Sequence, residues 1–284
     1  MQGLKNHFFK EVFAIIARKS KERKMKELTL IEQMLRLQQR LNDDTNGAGG
    51  EAGVTKEGKL ISWKRCIYME CAELIDSFPW KHWKNISAPV DKENVAVEIV
   101  DIWHFVMSLG LEIASTERKS LATLASDITA VSGFSEFSKE PFNIDNYNAY
   151  EIINDVEIII NRCSGFNLDF GDLLRDYFRL SLKCGVNLRR LFEVYMGKNV
   201  LNKFRQDHGY KEGTYLKVWD GKEDNVVMSE ILRNGASEWD EIYAALAKAY
   251  YKAGGAKPSS NLKGDAKVSN LGAASVNNSN LKTK

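Results

Sequence analysis

CIYMECAELI at residues 66–75 and VAVEIVDIWHFVM at residues 95–107 are the two stretches that decide the fold of this chain. Both are predicted to be helices, because their apolar residues cover most of a helix surface instead of alternating as in a half-buried strand. Each stretch carries two acids three positions apart, a spacing that places both acids on one helix face. The four acids are Glu70, Glu73, Glu98 and Asp101.

The second stretch predicts a buried helix with a functional stripe. Between residues 95 and 107 the polar residues are only Glu98, Asp101 and His104, each three positions from the next. A carboxylate in such an apolar setting is costly unless it is paired or binds a metal ion, and few basic residues lie nearby in the sequence. One acidic pair alone would indicate only a solvated face. Two such pairs predict a metal site, and all-oxygen ligands favour Mg²⁺ or Mn²⁺ over zinc.

Composition predicts a helical protein. The chain has 284 residues, 44% of them hydrophobic, with only four prolines, and it shows no convincing run of alternating strands. We therefore expect an all-α, multi-helix bundle. The four cysteines lack C-x-x-C spacing. This pattern favours small core residues in a reducing, cytoplasmic setting over a zinc or disulfide framework.

Charge divides the chain into three parts. The net charge of +2 splits into +6 for residues 1–26, +5 for residues 252–284 and −9 for the rest. The acidic body disfavours nucleic-acid binding. We predict a basic N-terminal extension (1–26), one all-α domain (27–252) and a disordered tail (253–284). The tail is rich in Gly, Ser, Asn and Lys and has no aromatic residue.

The N-terminal extension has two interpretations. Residues 7–17 are amphipathic and are followed by a basic cluster at 18–24. Lys10 and Glu11 interrupt the apolar run, so the segment resembles a signal peptide poorly. It is either a helix that lies on a membrane surface or a translated upstream extension, because Met25 precedes a clean helix start. We expect no membrane span.

A helix over Leu30–Leu41, with Thr29 as its N-cap, carries the first candidate binding residues. Gln38 and Asn42 lie near its C-terminal end. They are either part of a solvated helix end or amides that recognise the edge of a base, because an amide offers a donor and an acceptor together. The Gly-rich stretch 43–60 then forms a loop, either a mobile lid or plain linkage.

Tryptophans flank the first acidic helix. Trp63 opens it and Pro79 closes it, while Trp80 and Trp83 are candidates either for contact with a base or for the core. Further helices are predicted near 117–130, 147–162, 168–183, 187–206, 226–234 and 238–252. In two inter-helix bends, at Gly165 to Asn167 and at Gly185 to Asn187, we expect the glycine to end one helix and the asparagine to cap the next.

A group of cationic and amide residues follows in the last third of the chain. Some share one face of the helix over 187–206, at spacings of four and three, and others lie on a glycine-punctuated loop after it. Convergent Lys and Arg side chains suit phosphate oxygens, and a solvated basic face is the alternative. The residues are Lys198, Asn202, Arg205, Lys211 and Lys217.

These features together resemble the dimeric, all-α dUTPase family within the all-α nucleoside triphosphate pyrophosphohydrolases. The acids match its E-x-x-E…E-x-x-D signature, with 24 residues between the two pairs. Further similar blocks are LQQRLN at 37–42, DSFPWK at 76–81, DIWHF at 101–105, KNVLNKFR at 198–205 and GKEDN at 221–225. The resemblance covers roughly residues 27–251.

The resemblance implies hydrolysis of dUTP to dUMP and pyrophosphate, and of dUDP to dUMP and phosphate, by a homodimer. It implies Mg²⁺ as the cofactor, with Mn²⁺ as a substitute. The implied metal ligands are Glu70, Glu73, Glu98 and Asp101, with Asn202 as an added candidate. Glu73 is the candidate for orienting or deprotonating the attacking water. Implied phosphate contacts are Lys198, Arg205, Lys211 and Lys217, and implied uracil contacts are Gln38, Asn42 and Trp63.

Three rival functions remain. Glu70 and Glu73 with Asp101 and His104 resemble helical di-iron carboxylate sites, but those need Glu-x-x-His on two helices and only one helix here offers a histidine. The second rival is a related pyrophosphohydrolase with another base specificity. The third is a non-enzymatic helical scaffold that binds structural Mg²⁺. Covalent catalysis is not indicated, because no Ser or Cys has an evident activating partner.

Overall fold

A computed structural model describes the chain as a helical protein. It describes residues 2–47, 53–85, 87–139 and 143–257. These residues form ten α helices and one two-stranded hairpin, which confirms the predicted all-α bundle. The predicted disorder of the tail from residue 258 onward lies outside the described residues.

Contacts divide the chain into a first unit, Met1–Asn199, and a second unit, Val200–Lys284. A single catalytic domain over 27–252 stays a prediction. The first unit contains α1 (Gln2–Asn46), α2 (Trp63–Asp76), α3 (Lys92–Thr116), α4 (Leu121–Ala130), α5 (Phe134–Phe137), a 3₁₀ helix (Ile144–Asn146), α6 (Ala149–Ser164) and α7 (Phe170–Lys183). α8 (Leu188–Asp207) begins in the first unit and ends in the second.

The core of the first unit forms around α3. This helix buries fifteen residues, including Trp103 and Val106. α2 packs against α3 and α6, α1 packs against α3 and α4, and α6 packs against α7. α2 and α3, which carry the four acids, therefore lie side by side.

Local capping explains where the acidic helices begin. Ser62 accepts a hydrogen bond from the backbone N–H of Arg65 at the start of α2. Asp91 accepts one from the backbone N–H of Asn94 at the start of α3. Each side chain satisfies a backbone donor that the first turn of a helix leaves without a partner. Asp91 is thus the cap of the second acidic helix.

Two predicted helix starts are wrong. α1 begins at Gln2 rather than near residue 30, and the Oγ1 of Thr29 donates to the carbonyl oxygen of Met25 (2.8 Å) inside the continuing helix. A threonine can make this bond in a helix interior instead of capping an end. α7 is capped by Asp169 and not by Asn167. The second bend is as predicted, because Asn187 Oδ1 accepts from the backbone N–H of Arg190 (2.9 Å).

The second unit holds the hairpin and the last two helices. Strand β1 (Val218–Trp219) pairs antiparallel with β2 (Lys222–Glu223), and α9 (Asp224–Arg233) and α10 (Trp239–Lys252) follow. Asp220 (φ 48°) and Gly221 (φ 82°) take the left-handed conformation that a two-residue hairpin turn requires. Strands of two residues are too short to show alternation, so the sequence did not predict them.

Two further findings bear on the predicted setting. None of the helices in the described ranges is long and apolar enough to cross a membrane. All four cysteines are free thiols, three of them buried and Cys66 half-buried. They pack as small residues, as the sequence predicted.

Candidate active site

Three of the four predicted acids come together between α2 and α3. Glu70, Glu73 and Glu98 each offer one carboxylate oxygen, and these three oxygens lie within 4.8 Å of one another. Glu98 is buried, Glu70 is half-buried and Glu73 is exposed. Glu98 therefore lies at the buried end of the group, and solvent reaches the carboxylate of Glu73.

Electrostatics of this cluster favour a bound cation. Burial raises the pKa of Glu70 to about 8, and repulsion from Asp101, Glu73 and Glu98 adds to the shift. Burial also raises the pKa of Glu98 to about 7, with Asp101 the next cause. Glu98 Oε2 is buried and has no hydrogen-bond partner among the described residues. A divalent cation would satisfy this oxygen and relieve the repulsion, and three carboxylates form the hard-oxygen donor set that Mg²⁺ prefers.

The fourth acid, Asp101, has a protein partner. Lys198 Nζ lies 2.8 Å from Asp101 Oδ2, and the two side chains are only 3% and 18% exposed. Lys198 opposes the upward pKa shifts of Glu70 and Glu98. α8 thus brings to the cluster one buried ammonium, from a position far from the acids in the sequence. Sequence separation concealed this pair.

Gln38 and Asn42 lie in a hydrogen-bond network and not at a solvated helix end. Gln38 is 2% exposed. Its Nε2 donates to Asn42 Oδ1 (3.0 Å) and to Ser108 Oγ (3.1 Å), and Asn42 Nδ2 donates to the same Ser108 Oγ (3.1 Å). His104 Nδ1 lies 2.6 Å from Gln38 Oε1. The network therefore joins α1 to the polar stripe of α3.

α8 completes this network from the other side. The hydroxyl of Tyr195 donates to the carbonyl oxygen of Met34 (3.0 Å) and lies 3.3 Å from Gln38 Oε1, and Asn199 Nδ2 donates to it (3.2 Å). The ring of His104 packs on that of Tyr195, with centroids 4.6 Å apart.

The amide network adjoins the carboxylates. His104 follows Asp101 by three residues on α3, and Tyr195 precedes Lys198 by three residues on α8, so each pair shares one helix face. The sequence offered one signal for the missing members, because Ser108 extends the polar stripe of α3 by one turn. It offered none for Tyr195 or Asn199.

The predicted aromatic contacts differ in their settings. Trp63 is 7% exposed and stacks on Phe105, with centroids 6.1 Å apart. Trp80 Nε1 donates to Asp76 Oδ1 (2.9 Å). Trp83 is 62% exposed and meets the ring of Trp80 edge-on. A core position for Trp83 is therefore wrong.

In the second unit, Arg205 is held by a buried acid. Its Nε and Nη2 donate to the two oxygens of Asp224, both at 2.8 Å, and Asp224 is fully buried. The hydroxyl of Tyr215 donates to Asp224 Oδ2 (2.8 Å). Arg205 Nη1 also donates to Asn202 Oδ1 (3.3 Å). Arg205 and Asn202, predicted from their spacing to share a face, thus lie in contact.

Lys211 and Lys217 lie between α8 and β1, and both side chains are exposed. Lys217 Nζ lies 3.6 Å from Glu223 Oε2, with both groups more than half exposed. An ion pair in such a position is screened by water and holds its partners weakly. Both lysines are therefore accessible to an anionic ligand.

Comparison with known proteins identifies the family. A family model described as dUTPase matches residues 30–210, which include the whole of α2, α3 and α8. No curated protein compared with the chain matches it. The match covers more than half of the chain, and it includes the four acids and the amide pair described above. The chain belongs to the all-α, dimeric dUTPase family, whose members are nucleotide pyrophosphohydrolases.

Proposed function

We propose that this protein hydrolyses dUTP to dUMP and pyrophosphate, and dUDP to dUMP and phosphate, in a Mg²⁺-dependent reaction in which Mn²⁺ can replace Mg²⁺. The observation that carries the proposal is the group of three carboxylates between α2 and α3, within the stretch that matches the dUTPase family. Pyrophosphohydrolysis requires charge neutralisation at the phosphates and an activated water, and this group suits both needs.

Glu70, Glu73 and Glu98 are the proposed core of the metal site. Asp101 is the proposed fourth ligand, since its carboxylate lies close enough to raise the pKa of Glu70 and Glu98. Asn202 stays a proposed ligand on the family resemblance alone. Mg²⁺ bound by these groups would lower the pKa of a bound water and neutralise negative charge on the phosphates.

Glu73 is the proposed residue that orients or deprotonates the attacking water. It is the exposed member of the cluster, so a water molecule reaches it directly from solvent. A carboxylate within hydrogen-bond range of that water can take its proton. Lys198 supplies a buried positive charge beside Asp101, which suits charge that builds on a leaving phosphate. We propose Arg205, Lys211 and Lys217 as further phosphate contacts.

The proposed uracil contacts are Asn42, Gln38 and Trp63. Two of them are amides in one network, and the third is a tryptophan that presents a stacked, largely buried ring. A uracil base offers hydrogen-bonding edges for the amides and a flat face for the ring. Thymine differs only by a methyl group, so we expect packing around that carbon to exclude it.

We also propose a homodimer that works in the reducing cytoplasm. The dimer follows from the family, and the free cysteines support a reducing compartment. The di-iron alternative loses support, because His104 is not part of the ligand group, and its Nδ1 is engaged by Gln38.

The deciding experiment is a nucleotide panel. Release of pyrophosphate or phosphate is measured for dUTP, dUDP, dCTP and dTTP, with Mg²⁺ and with EDTA. We expect rapid turnover of dUTP and dUDP, poor turnover of the other two and no activity in EDTA. Glu70→Gln should abolish turnover, whereas Glu151→Gln, an exposed acid on α6, should not change it. Equal rates on all four nucleotides would replace the proposal with a broader pyrophosphohydrolase, and no turnover of any would leave a metal-binding scaffold.

A further inference from the structure

We infer that His104 and Ser108 are positioning residues that lock the side-chain amide of Asn42 in one of its two orientations, and that this lock makes the base site accept uracil and reject cytosine. The inference rests on the proposed function, because it concerns how the same site chooses its base. It assigns the two residues a role that acts through Asn42.

Gln38 has no hydrogen-bonding capacity left for a ligand. A primary amide has two N–H donors and an oxygen with two lone pairs. Both donors of Gln38 are used, on Asn42 Oδ1 and on Ser108 Oγ. Its oxygen lies 2.6 Å from His104 Nδ1 and 3.3 Å from the hydroxyl of Tyr195. Of the two amides proposed as uracil contacts, Gln38 therefore orders its neighbours, and only Asn42 has groups left to pair with the edge of the base.

His104 sets which group donates and which accepts in each hydrogen bond of the network. With Gln38 Oε1 as the acceptor of their 2.6 Å contact, His104 Nδ1 is the protonated donor. Burial and the charge of Lys198 lower the pKa of His104 to about 3, so the ring is neutral and its Nε2 carries a lone pair. That Nε2 is buried and has no partner among the described residues. A buried acceptor without a partner costs free energy. We therefore infer that the ring contributes to the network through the hydrogen bond that its Nδ1 donates.

The orientation of the Gln38 amide in turn sets the orientation of the Asn42 amide. Because Gln38 Oε1 is held by His104, its Nε2 faces Asn42 and donates to Oδ1. Ser108 Oγ accepts from Asn42 Nδ2, while its own proton is directed to the carbonyl oxygen of His104 (2.8 Å). A half-turn of the Asn42 amide would place its N–H groups against the N–H of Gln38 and lose both bonds. The wrong orientation is therefore penalised at two contacts.

Ser108 Oγ also lies 3.3 Å from Asn42 Oδ1, but its one proton is directed to the nearer carbonyl oxygen of His104. With that proton on His104, the locked amide keeps one N–H and one lone pair that the hydrogen bonds among the described residues leave unused. Uracil presents a carbonyl acceptor at C4 beside the N3–H donor, whereas cytosine presents an amine donor beside an N3 acceptor. An amide that turns freely could pair with either base, because a half-turn exchanges its donor and acceptor. Only a locked amide rejects cytosine, and a site that pairs correctly with one edge rejects the reversed edge strongly.

Two variants of His104 test the lock. His104→Phe keeps a ring against Tyr195 and removes the donor, so Gln38 and Asn42 become free to turn. We expect the ratio of kcat/KM for dUTP to kcat/KM for dCTP to fall about tenfold or more. His104→Asn places an amide nitrogen near the position of Nδ1 and should restore most of the ratio. Cys163→Ala, a buried change outside the network, should lower the melting temperature without changing the ratio, since general loosening slows both substrates alike.

A second measurement does not depend on turnover. The ¹⁵N NMR pattern of the His104 ring should show a neutral imidazole protonated at Nδ1. An Nε2–H tautomer, or an unchanged selectivity ratio in folded His104→Phe, would overturn the inference. If wild-type protein fails to hydrolyse dUTP, the proposed function fails. The tautomer still decides whether the network has the direction described.

Discussion

Glu70 shows how a single side chain couples the site to stability. Its pKa rises from 4.5 to about 8 in the folded, metal-free protein. Between these two values the folded state binds more protons at this position than the unfolded state does. The free energy of unfolding therefore decreases as pH rises through that window, and Glu98, with a pKa of about 7, acts in the same direction.

We expect the melting temperature in EDTA to fall between about pH 5 and about pH 8. Mg²⁺ should raise it most at the upper end, because the ion binds the deprotonated carboxylates of the folded state only. Glu70→Gln, which cannot ionise, should flatten much of the slope, whereas the exposed Glu151→Gln should retain it. Differential scanning fluorimetry across this range checks the sign, and stability that rises with pH in EDTA would contradict it.

Arg205 should matter for stability as well as for phosphate binding. Arg205→Met leaves the fully buried carboxylate of Asp224 with the hydroxyl of Tyr215 but without its cation. Breaking a buried ion pair on one side typically costs about 3–5 kcal/mol of unfolding free energy. Adding Asp224→Asn should recover part of that loss. Lys217→Ala, which breaks an exposed pair, should cost less than about 1 kcal/mol, as urea titration of all four proteins would show.

At the scale of helices, the predictable parts were those with local causes. The bounds of α2, α3 and α6 follow from apolar stripes and cap residues that lie within a few positions of each other. The predicted start of α1 was wrong because it also relied on a local signal. A threonine before an apolar run looks like a cap, but Thr29 bonds back to Met25 inside a longer helix. Nothing local distinguishes the two uses of one hydroxyl.

The candidate site divides along the same line. Acids three apart on a helix predicted the carboxylate group, because both partners in each pair lie within one turn. The pairing of Asp101 with Lys198 and of Gln38 with Tyr195 joins residues far apart in sequence, up to 157 positions. These contacts depend on how α8 packs against α1 and α3 and have no local pattern. The sequence therefore predicts the group of carboxylates but not the side chains that pair with them or orient the amides.

The N-terminal part of α1 offers a prediction at this scale. The side chains of residues 21–26 are exposed, and the family match begins only at residue 30. A protein that starts at Met25 should therefore keep its melting temperature and its turnover within error, because the removed residues carry none of the proposed site. Parallel melting and kinetic measurements on both lengths check this. A marked loss in the shorter protein would show that the extension packs on the folded chain.

For the whole molecule, the family membership predicts a homodimer. One chain has a mass of 32.2 kDa, so light scattering after size-exclusion chromatography should give about twice that value. The mass should stay constant in EDTA, since the dimer follows from the family and not from a metal that bridges two chains. A monomer at working concentrations, with full activity, would contradict the proposed assembly.

Lys198 has a consequence for how such an enzyme comes into being. Its ammonium lies 2.8 Å from Asp101 Oδ2, so the chain itself supplies a counter-charge for the acids. We expect the newly made protein to fold first and to bind Mg²⁺ afterwards. The amount of folded protein in a cell would then depend on its synthesis and not on Mg²⁺. Protein stripped of metal should stay folded during storage and regain activity when Mg²⁺ is added.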